Sequence, residues 1–441
     1  LTIDRAKLEV TSTKLLQTLI RFNTVNPPGD EAVAQAFIQA ELEEAGFTVE
    51  LYARDPGRPN LVATLKAPSG ADGPTLGLLS HVDTVLADPE EWDVDPWSGE
   101  IKDDCIWGRG AQDMKGQTAA EMAAVIELTK SGWRPETGAL KVIVTSDEEA
   151  GGNYGARWLC ETHPEVARCD MTLNEGGGQQ FTYEGTRYFR VGCAEKGFAR
   201  FNIVTHGKAG HASVPRMGEN ALTKMAPILT QLANNQPDYD LTAEPKAILE
   251  AIFSQEVTND DLPSLLAKIE ATDPRLAVLL EPTFGVTLTP TMIEASQKVN
   301  VIPGRASTRV DCRVPPGFDR DHAEKRAREV LGEGDYELEF DVAAIGNASA
   351  HQSPMMDVIK DWVKAVDPDA IAVPSVLPGF TDSRWFRDSF PDCIAYGFFP
   401  QIKMDMYESD PLIHSANERI PIEDLTLATE FFASTVPQLL E

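Results

Sequence analysis

The sequence predicts an α/β fold: a mixed, mostly parallel sheet flanked by helices, with a smaller α+β domain inserted into the chain. Three observations predict it. Short apolar runs alternate with stretches whose apolar residues recur at helical spacing, the pattern of a sheet wrapped by helices. The strand-like runs are largely apolar rather than alternating, as in a sheet covered on both faces. Around Glu195-Lys196-Gly197 the pattern switches to alternation, so a second kind of sheet begins there.

The elements follow in order. Residues 5–21 and 31–46 carry helix-period apolar positions and are separated by Asn26-Pro27-Pro28-Gly29, a break in any helix. Runs 61–65, 75–80, 139–145 and 171–174 read as strands, and 115–130, rich in Ala, Met, Ile and Leu, as a helix. After the switch, 198–205 reads as an alternating strand and 219–233 as a helix that Pro227 should kink. A polar, helical stretch leads to strands at 284–294 and 306–313, and 393–399 is a further strand-like run. The inserted domain is placed at 197–312, with 1–196 and 313–441 forming the larger one. A chain of 441 residues fits two or three domains.

Composition excludes several function classes. Lys+Arg total 39 against 69 Asp+Glu, a net charge of −30, so phosphate backbones and anionic membrane surfaces would repel the chain. Neither a nucleic acid nor a membrane is therefore expected as partner. No apolar stretch approaches the roughly 18 residues of a membrane span, and Leu1-Thr2-Ile3-Asp4-Arg5 does not read as a signal peptide. The six cysteines (105, 160, 169, 193, 312, 393) form no C-x-x-C pair and are too sparse for a disulfide scaffold. They read as reduced thiols, which places the chain in the cytoplasm.

Several familiar chemistries are missing: no H-E-x-x-H helix, no G-x-S-x-G elbow and no phosphate-binding G-x-x-x-x-G-K-[ST] loop. Gly108-Arg109-Gly110 opens like a dinucleotide fingerprint, but Asp113 stands at the third glycine, where a pyrophosphate would meet a carboxylate. What is present is a set of His and acids at the ends of apolar runs, where sites form in open α/β sheets. His81 and Asp83 follow the run 75–80, at a spacing that lets Asp83 orient the His81 ring. Asp113 precedes the helix at 115–130, where, taken alone, it reads first as an N-cap. Asp147-Glu148-Glu149 follows the run 139–145 and reads as repelling acids that a cation would relieve, or as solvated surface. Glu175 is followed by three glycines that permit a tight turn, and His414 follows Ile413. Among seven His in all, two of them with several carboxylates and no Cys suit a pair of divalent cations such as Zn²⁺, Co²⁺ or Mn²⁺.

The ordered motifs S-H-V-D-T-V, W-G-R-G-A-Q-D-M-K-G, S-D-E-E-A-G-G, N-E-G-G-G, H-G-K-A-G-H-A-S, N-V-I-P-G-R, G-F-T-D-S-R and H-S-A-N-E-R resemble those of a dinuclear metallohydrolase family. It includes aminoacylase, acetylornithine deacetylase, succinyl-diaminopimelate desuccinylase, glutamate carboxypeptidase and carboxypeptidase S. The resemblance covers residues 15 to 430 and implies a catalytic α/β domain with an inserted lid or dimerisation domain. It implies that His81 and Glu175 hold one metal, that Glu149 and His414 hold the other, that Asp113 bridges both, and that the Asp113–Met114 peptide bond is cis. Asp83 would orient His81, and Glu148 would be the general base. His211 would polarise the substrate carbonyl in the partner subunit's site of a homodimer. Asn300 and Arg313 would bind substrate, Arg313 taking its carboxylate, although Arg313 could instead pair with Asp311. His206 reads as structural, and His163, His322 and His351 as surface or packing residues. Gln117 and Ser415 stand where the family often has Gly, which bears on local backbone shape and not on metal binding. The implied activity is hydrolysis of an amide next to a free carboxylate, as by an N-acyl-amino-acid deacylase, a carboxypeptidase or a dipeptidase. The alternative is hydrolysis of a non-peptide C–N bond at the same site.

Overall fold

The computed structural model describes residues 3–235 and 238–440. They fall into two compact units: Leu1–Cys193 with Ser349–Ser375 and Thr381–Glu441, and Ala194–Ala348 with Val376–Phe380.

The first unit is built on a nine-stranded sheet. Its spatial order is Thr48–Tyr52, Asn60–Lys66, Ala139–Thr145, Thr75–His81, Met171–Asn174, Ile394–Gly397, Thr186–Glu195 and Ile371–Leu377, with Gln180–Tyr183 paired to Thr186–Glu195 off this path. The four strands from Ala139–Thr145 to Ile394–Gly397 are parallel neighbours. Outside them the pairing is antiparallel, at Thr48–Tyr52 with Asn60–Lys66, Asn60–Lys66 with Ala139–Thr145, and Gln180–Tyr183 with Thr186–Glu195. The sheet is thus mixed as expected, with its run of parallel neighbours at the centre. The short links 53–59 and 184–185 explain the antiparallel pairs they join, because a parallel neighbour needs a crossover of about a dozen residues or more.

Alternate residues of each central strand enter different cores. Leu61, Ala63, Leu78, Val142 and Val144 join one cluster, while Val62, Leu79 and Ile143 join another with Leu159, Phe386 and Phe390. Covering both faces is why these runs are apolar without alternation. Helix Arg5–Arg21 buries Leu8, Leu15, Leu16, Leu19 and Ile20 on one stripe, and Lys115–Lys130 is buried from Lys115 to Thr129.

The second unit carries a four-stranded antiparallel sheet, in the order Thr287–Glu294, Arg305–Val314, Gly197–His206, Glu337–Ala344. Its core joins Phe201, Ile203, Val310 and Cys312 to Met225, Ile228 and Leu232 of helix Ala221–Ala233 and to Ala323, Ala327 and Leu331 of helix Arg320–Leu331. Pro227 lies inside Ala221–Ala233, which continues through it. The boundary expected at 312 is displaced. It falls inside the strand Arg305–Val314, and the unit runs on to Ala348 because Glu337–Ala344 pairs with Gly197–His206.

All six cysteines are free, and all but Cys105 are buried. Among the described residues, no helix is long and apolar enough to cross a membrane.

Candidate metal centre

Three neighbouring parallel strands end side by side, and each delivers a site residue. Thr75–His81 ends in His81, Ala139–Thr145 leads into the short helix Glu148–Ala150, and Met171–Asn174 is followed by Glu175. At this last point the chain turns through Gly176 (φ 92°) and Gly178 (φ 99°), conformations open to glycine. Asp113 comes from the loop before helix Lys115–Lys130. That helix has Met114 at its N-cap without a side-chain cap bond, so Asp113 is not its cap. The Asp113–Met114 peptide is cis. His414 sits at φ 60° beyond the turn Asp410–Leu412.

Two groups of potential ligand atoms result, His81 with Glu148 and Glu175, and Asp113 with Glu149 and His414. Asp113 joins them. Its Oδ1 lies 3.2 Å from His81 Nε2, and its Oδ2 lies 3.0 Å from His414 Nε2. Glu175 Oε1 and Glu148 Oε2 are 3.7 and 3.8 Å from His81 Nε2, and Glu149 Oε2 is 3.2 Å from His414 Nε2.

The His81 tautomer follows from its neighbours. Nδ1 lies 3.1 Å from the Asp83 backbone carbonyl, which can only accept, so Nδ1 carries a proton, and in the neutral ring Nε2 is the nitrogen left with a lone pair for a metal. The Asp83 carboxylate stands 3.5 Å from the same nitrogen. Asp83 therefore holds the ring mainly through its main chain, a difference from the expected side-chain bond. Its carboxylate accepts instead from Glu148 N and Glu149 N, both at 3.1 Å.

Charge in the cluster is unbalanced. Four carboxylates (Asp113, Glu148, Glu149, Glu175) face two imidazoles. Burial first, and then the neighbouring acids, push Glu148 and Glu175 well above the usual carboxylate range. Asp113 is held below that range: burial opposes this, but its contacts with His414 and His81 outweigh it. The same contacts, with Asp113 and Glu149, push His414 up to about 10. Among the described residues, His81 Nε2 and Glu149 Oε1 are buried without a hydrogen-bond partner. Two nitrogens and several carboxylate oxygens, with orphaned donor atoms aimed inward, fit divalent cations of the Zn²⁺, Co²⁺ or Mn²⁺ kind.

A model of the peptidase family M20/M25/M40 matches residues 77–438. The chain belongs to this family. It is 25% identical to a succinyl-diaminopimelate desuccinylase of Xanthobacter autotrophicus over 96% of its own length and 97% of that relative's. It is also 25% identical to a probable carboxypeptidase S-like 2 of Dictyostelium discoideum, over 80% and 70% of the two chains. Among solved structures, the M20 metallo-carboxypeptidase Sso-CP2 of Sulfolobus solfataricus superposes with a TM-score of 0.69 at 19% identity, covering 97% of this chain and 99% of that one. Human carnosine dipeptidase 1 gives 0.65 at 16% identity, over 99% and 100%. The protein is thus an M20 hydrolase of amide or peptide bonds, and its family implies divalent metal ions.

Other residues of this M20 site escaped the sequence reading. Glu418 is buried, and its carboxylate accepts from Gly110 N (3.0 Å), Gln112 N (2.7 Å), Asp113 N (3.0 Å) and Arg109 Nη1 (2.7 Å). It thereby shapes the whole loop that presents Asp113. Burial pushes its carboxyl up to about 6 against the pull of Arg109. Its place in H-S-A-N-E-R was the available signal. Asp382, in T-D-S-R, accepts from Thr145 Oγ1 at 2.6 Å, just below the Glu148–Glu149 turn.

His211, Asn300 and Arg313 lie in the second unit. His211 is exposed, in a two-residue strand paired with Val301–Ile302, next to Asn300, whose carbonyl accepts from Ala212 N. Ser213 N donates to His211 Nδ1 at 3.2 Å, so in the neutral ring Nε2 is the donor. Arg313 does pair with Asp311: Nε lies 2.7 Å from Oδ1, while Asp311 Oδ2 is shared with Arg200 Nε at 3.1 Å. His206 stands 3.5 Å from Glu337, His163 packs between Tyr52 and Trp158, and His322 stacks on Phe318.

Proposed function

We propose that this protein hydrolyses an amide bond adjacent to a free carboxylate, as an N-acyl-amino-acid deacylase, carboxypeptidase or dipeptidase, with Glu148 as general base. The observation that carries this reading is Asp113, whose two carboxylate oxygens address the two separate donor groups. His81 and Glu175 would hold one ion, Glu149 and His414 the other, and Asp113 both. Two divalent ions held there, most readily Zn²⁺, would supply a water of near-neutral pKa and a Lewis acid for the scissile carbonyl. Glu148 takes the proton of the attacking water and delivers it to the leaving amine nitrogen. Asp83 fixes the His81 tautomer and the backbone of Glu148 and Glu149. Arg313 would receive the substrate carboxylate, its planar fork already steadied by Asp311, and Asn300, next to His211, would bind substrate there. The names of the desuccinylase and carboxypeptidase relatives support this substrate class.

The test is a panel of N-acyl amino acids and dipeptides, each as free acid and as C-terminal amide. Wild-type enzyme is expected to prefer the free acids strongly. Arg313→Ala is expected to raise KM for the free acids and to be nearly indifferent to amidation. Equal cleavage of both forms by the wild type would remove carboxylate recognition and favour a non-peptide C–N substrate.

The active unit in this reading is a homodimer in which His211 serves the partner's site through Nε2. Mixing inactive His211→Ala with inactive Glu148→Gln should regenerate activity in exchanged dimers. Demonstrated exchange without recovery would place His211 in its own subunit's site or in none.

A further inference from the structure

A buried polar chain runs behind the ligand cluster, and none of its outer members has a role in the chemistry described so far. Asn26 Nδ2 donates to Asp83 Oδ2 at 2.9 Å and to Asp147 Oδ1 at 3.1 Å. Acceptors cannot face acceptors, so the amide nitrogen, with its two hydrogens, must be the group between these carboxylates. The backbone at Asn26 is itself fixed to the strand extension beyond His81: Thr84 N donates to Thr24 O at 3.1 Å, and Asn26 N to Thr84 O at 2.9 Å. On the far side, Asp147 Oδ1 lies 2.9 Å from Arg58 Nη1, and Asp147 Oδ2 accepts from Tyr154 N at 3.0 Å. Arg58 in turn grips Glu31, with Nη2 2.6 Å from Oε1 and Nε 3.1 Å from Oε2. Asn26, Glu31, Arg58, Asp83 and Asp147 are all buried. Asp147 holds φ 66° at the turn that feeds Glu148 and Glu149, a conformation rarely kept by a non-glycine residue unless its surroundings hold it.

We propose that Asn26 is a positioning residue, whose side-chain amide clamps the loop carrying His81 and Asp83 to the turn carrying Glu148 and Glu149, with Arg58 and Glu31 bracing the turn from behind. Asn is suited to the position because one nitrogen supplies two donors without charge. Asp would place a third acceptor between two carboxylates, and Ala would leave both without their shared donor. The clamp sets where the Glu148 carboxylate stands, so its kinetic effect rests on the reading of Glu148 as the base. Its structural effect does not.

The experiment compares wild type, Asn26→Ala and Asn26→Asp with Leu42→Ala, a core truncation near the C-terminal end of helix Ala32–Glu44, the end opposite its N-cap Glu31. Amide exchange is followed by mass spectrometry on metal-free protein, and kcat, KM and metal content on zinc-loaded protein. The Asn26 variants are expected to exchange the Glu148 and Glu149 amides about tenfold faster while the central strands stay protected. Their kcat should fall about a hundredfold with KM little changed, as for a misplaced catalytic group. Leu42→Ala should lower the thermal midpoint without either effect. Asn26→Ala that behaves like Leu42→Ala, losing midpoint but keeping exchange and kcat within about threefold of wild type, overturns the proposal. Should Asn26→Asp not fold, Asn26→Ala carries the same comparison. If wild type cleaves no member of the substrate panel, the functional reading fails, and exchange at Glu148 and Glu149 alone decides the clamp.

Discussion

Glu148→Gln is expected to keep both ions bound and to lower kcat by about 10²–10⁴-fold, the range that a general acid–base group contributes. Glutamine keeps the shape and an acceptor oxygen but cannot take a proton from water. The neighbouring Glu149→Gln is expected to behave differently, releasing or weakening one ion, because Glu149 Oε2 stands beside His414 and Asp113 within one donor group. The contrast is a sharp test because the two residues are adjacent and share an anchor. Their backbone amides both donate to Asp83, so a disturbance of the turn would affect them alike. Glu148 lies as near His81 as Glu175 does, at 3.8 against 3.7 Å, which makes a ligand role for Glu148 the competing assignment. Metal analysis of the two variants decides between them. Equal loss of metal would make Glu148 a ligand and leave the base unassigned.

The parts of this site legible in the sequence are those with a local signature. An apolar run that stops at a His or an acid marks a strand end, and His81, Glu148, Glu149 and Glu175 were found that way. The runs at 75–80, 139–145 and 171–174 correspond to Thr75–His81, Ala139–Thr145 and Met171–Asn174. What was not legible depends on partners far apart in the chain. Asn26 read only as part of a helix break, although its side chain joins Asp83 to Asp147. Glu418 read as one letter of a motif, although three amides of the Asp113 loop converge on it. The same limit displaced the domain boundary. The strand Glu337–Ala344 alternates weakly and is mostly exposed or half-buried, so only its pairing with Gly197–His206 reveals that it belongs to the second unit. Asp83 is a case between the two: spacing placed it beside His81, but could not tell a main-chain from a side-chain bond.

Chelation is expected to abolish turnover completely and to lower thermal stability, with Zn²⁺, Co²⁺ or Mn²⁺ restoring both. An ion present at about a thousand times its Kd contributes roughly 4 kcal/mol to the folded state, so removing two should shift the unfolding midpoint by an amount easily read in calorimetry. The pKa directions set the sign of a further dependence. Burial and neighbouring acids raise Glu148 and Glu175 in the metal-free protein, so these groups retain protons at pH values where an exposed Glu has lost them. Protons that an incoming cation displaces make binding tighten as pH rises, by about tenfold per pH unit for each proton released. His81 and His414, also held protonated by their acid neighbours, push in the same direction, since an imidazolium cannot be a ligand. Titration calorimetry in buffers of different ionisation enthalpy should therefore show net proton release at neutral pH, weakening toward high pH as the groups ionise unaided. Proton-neutral binding with pH-independent affinity would mean that His81, Asp113, Glu149, Glu175 and His414 are not the ligand set, and a fully active, metal-free preparation would sink the metallohydrolase mechanism itself.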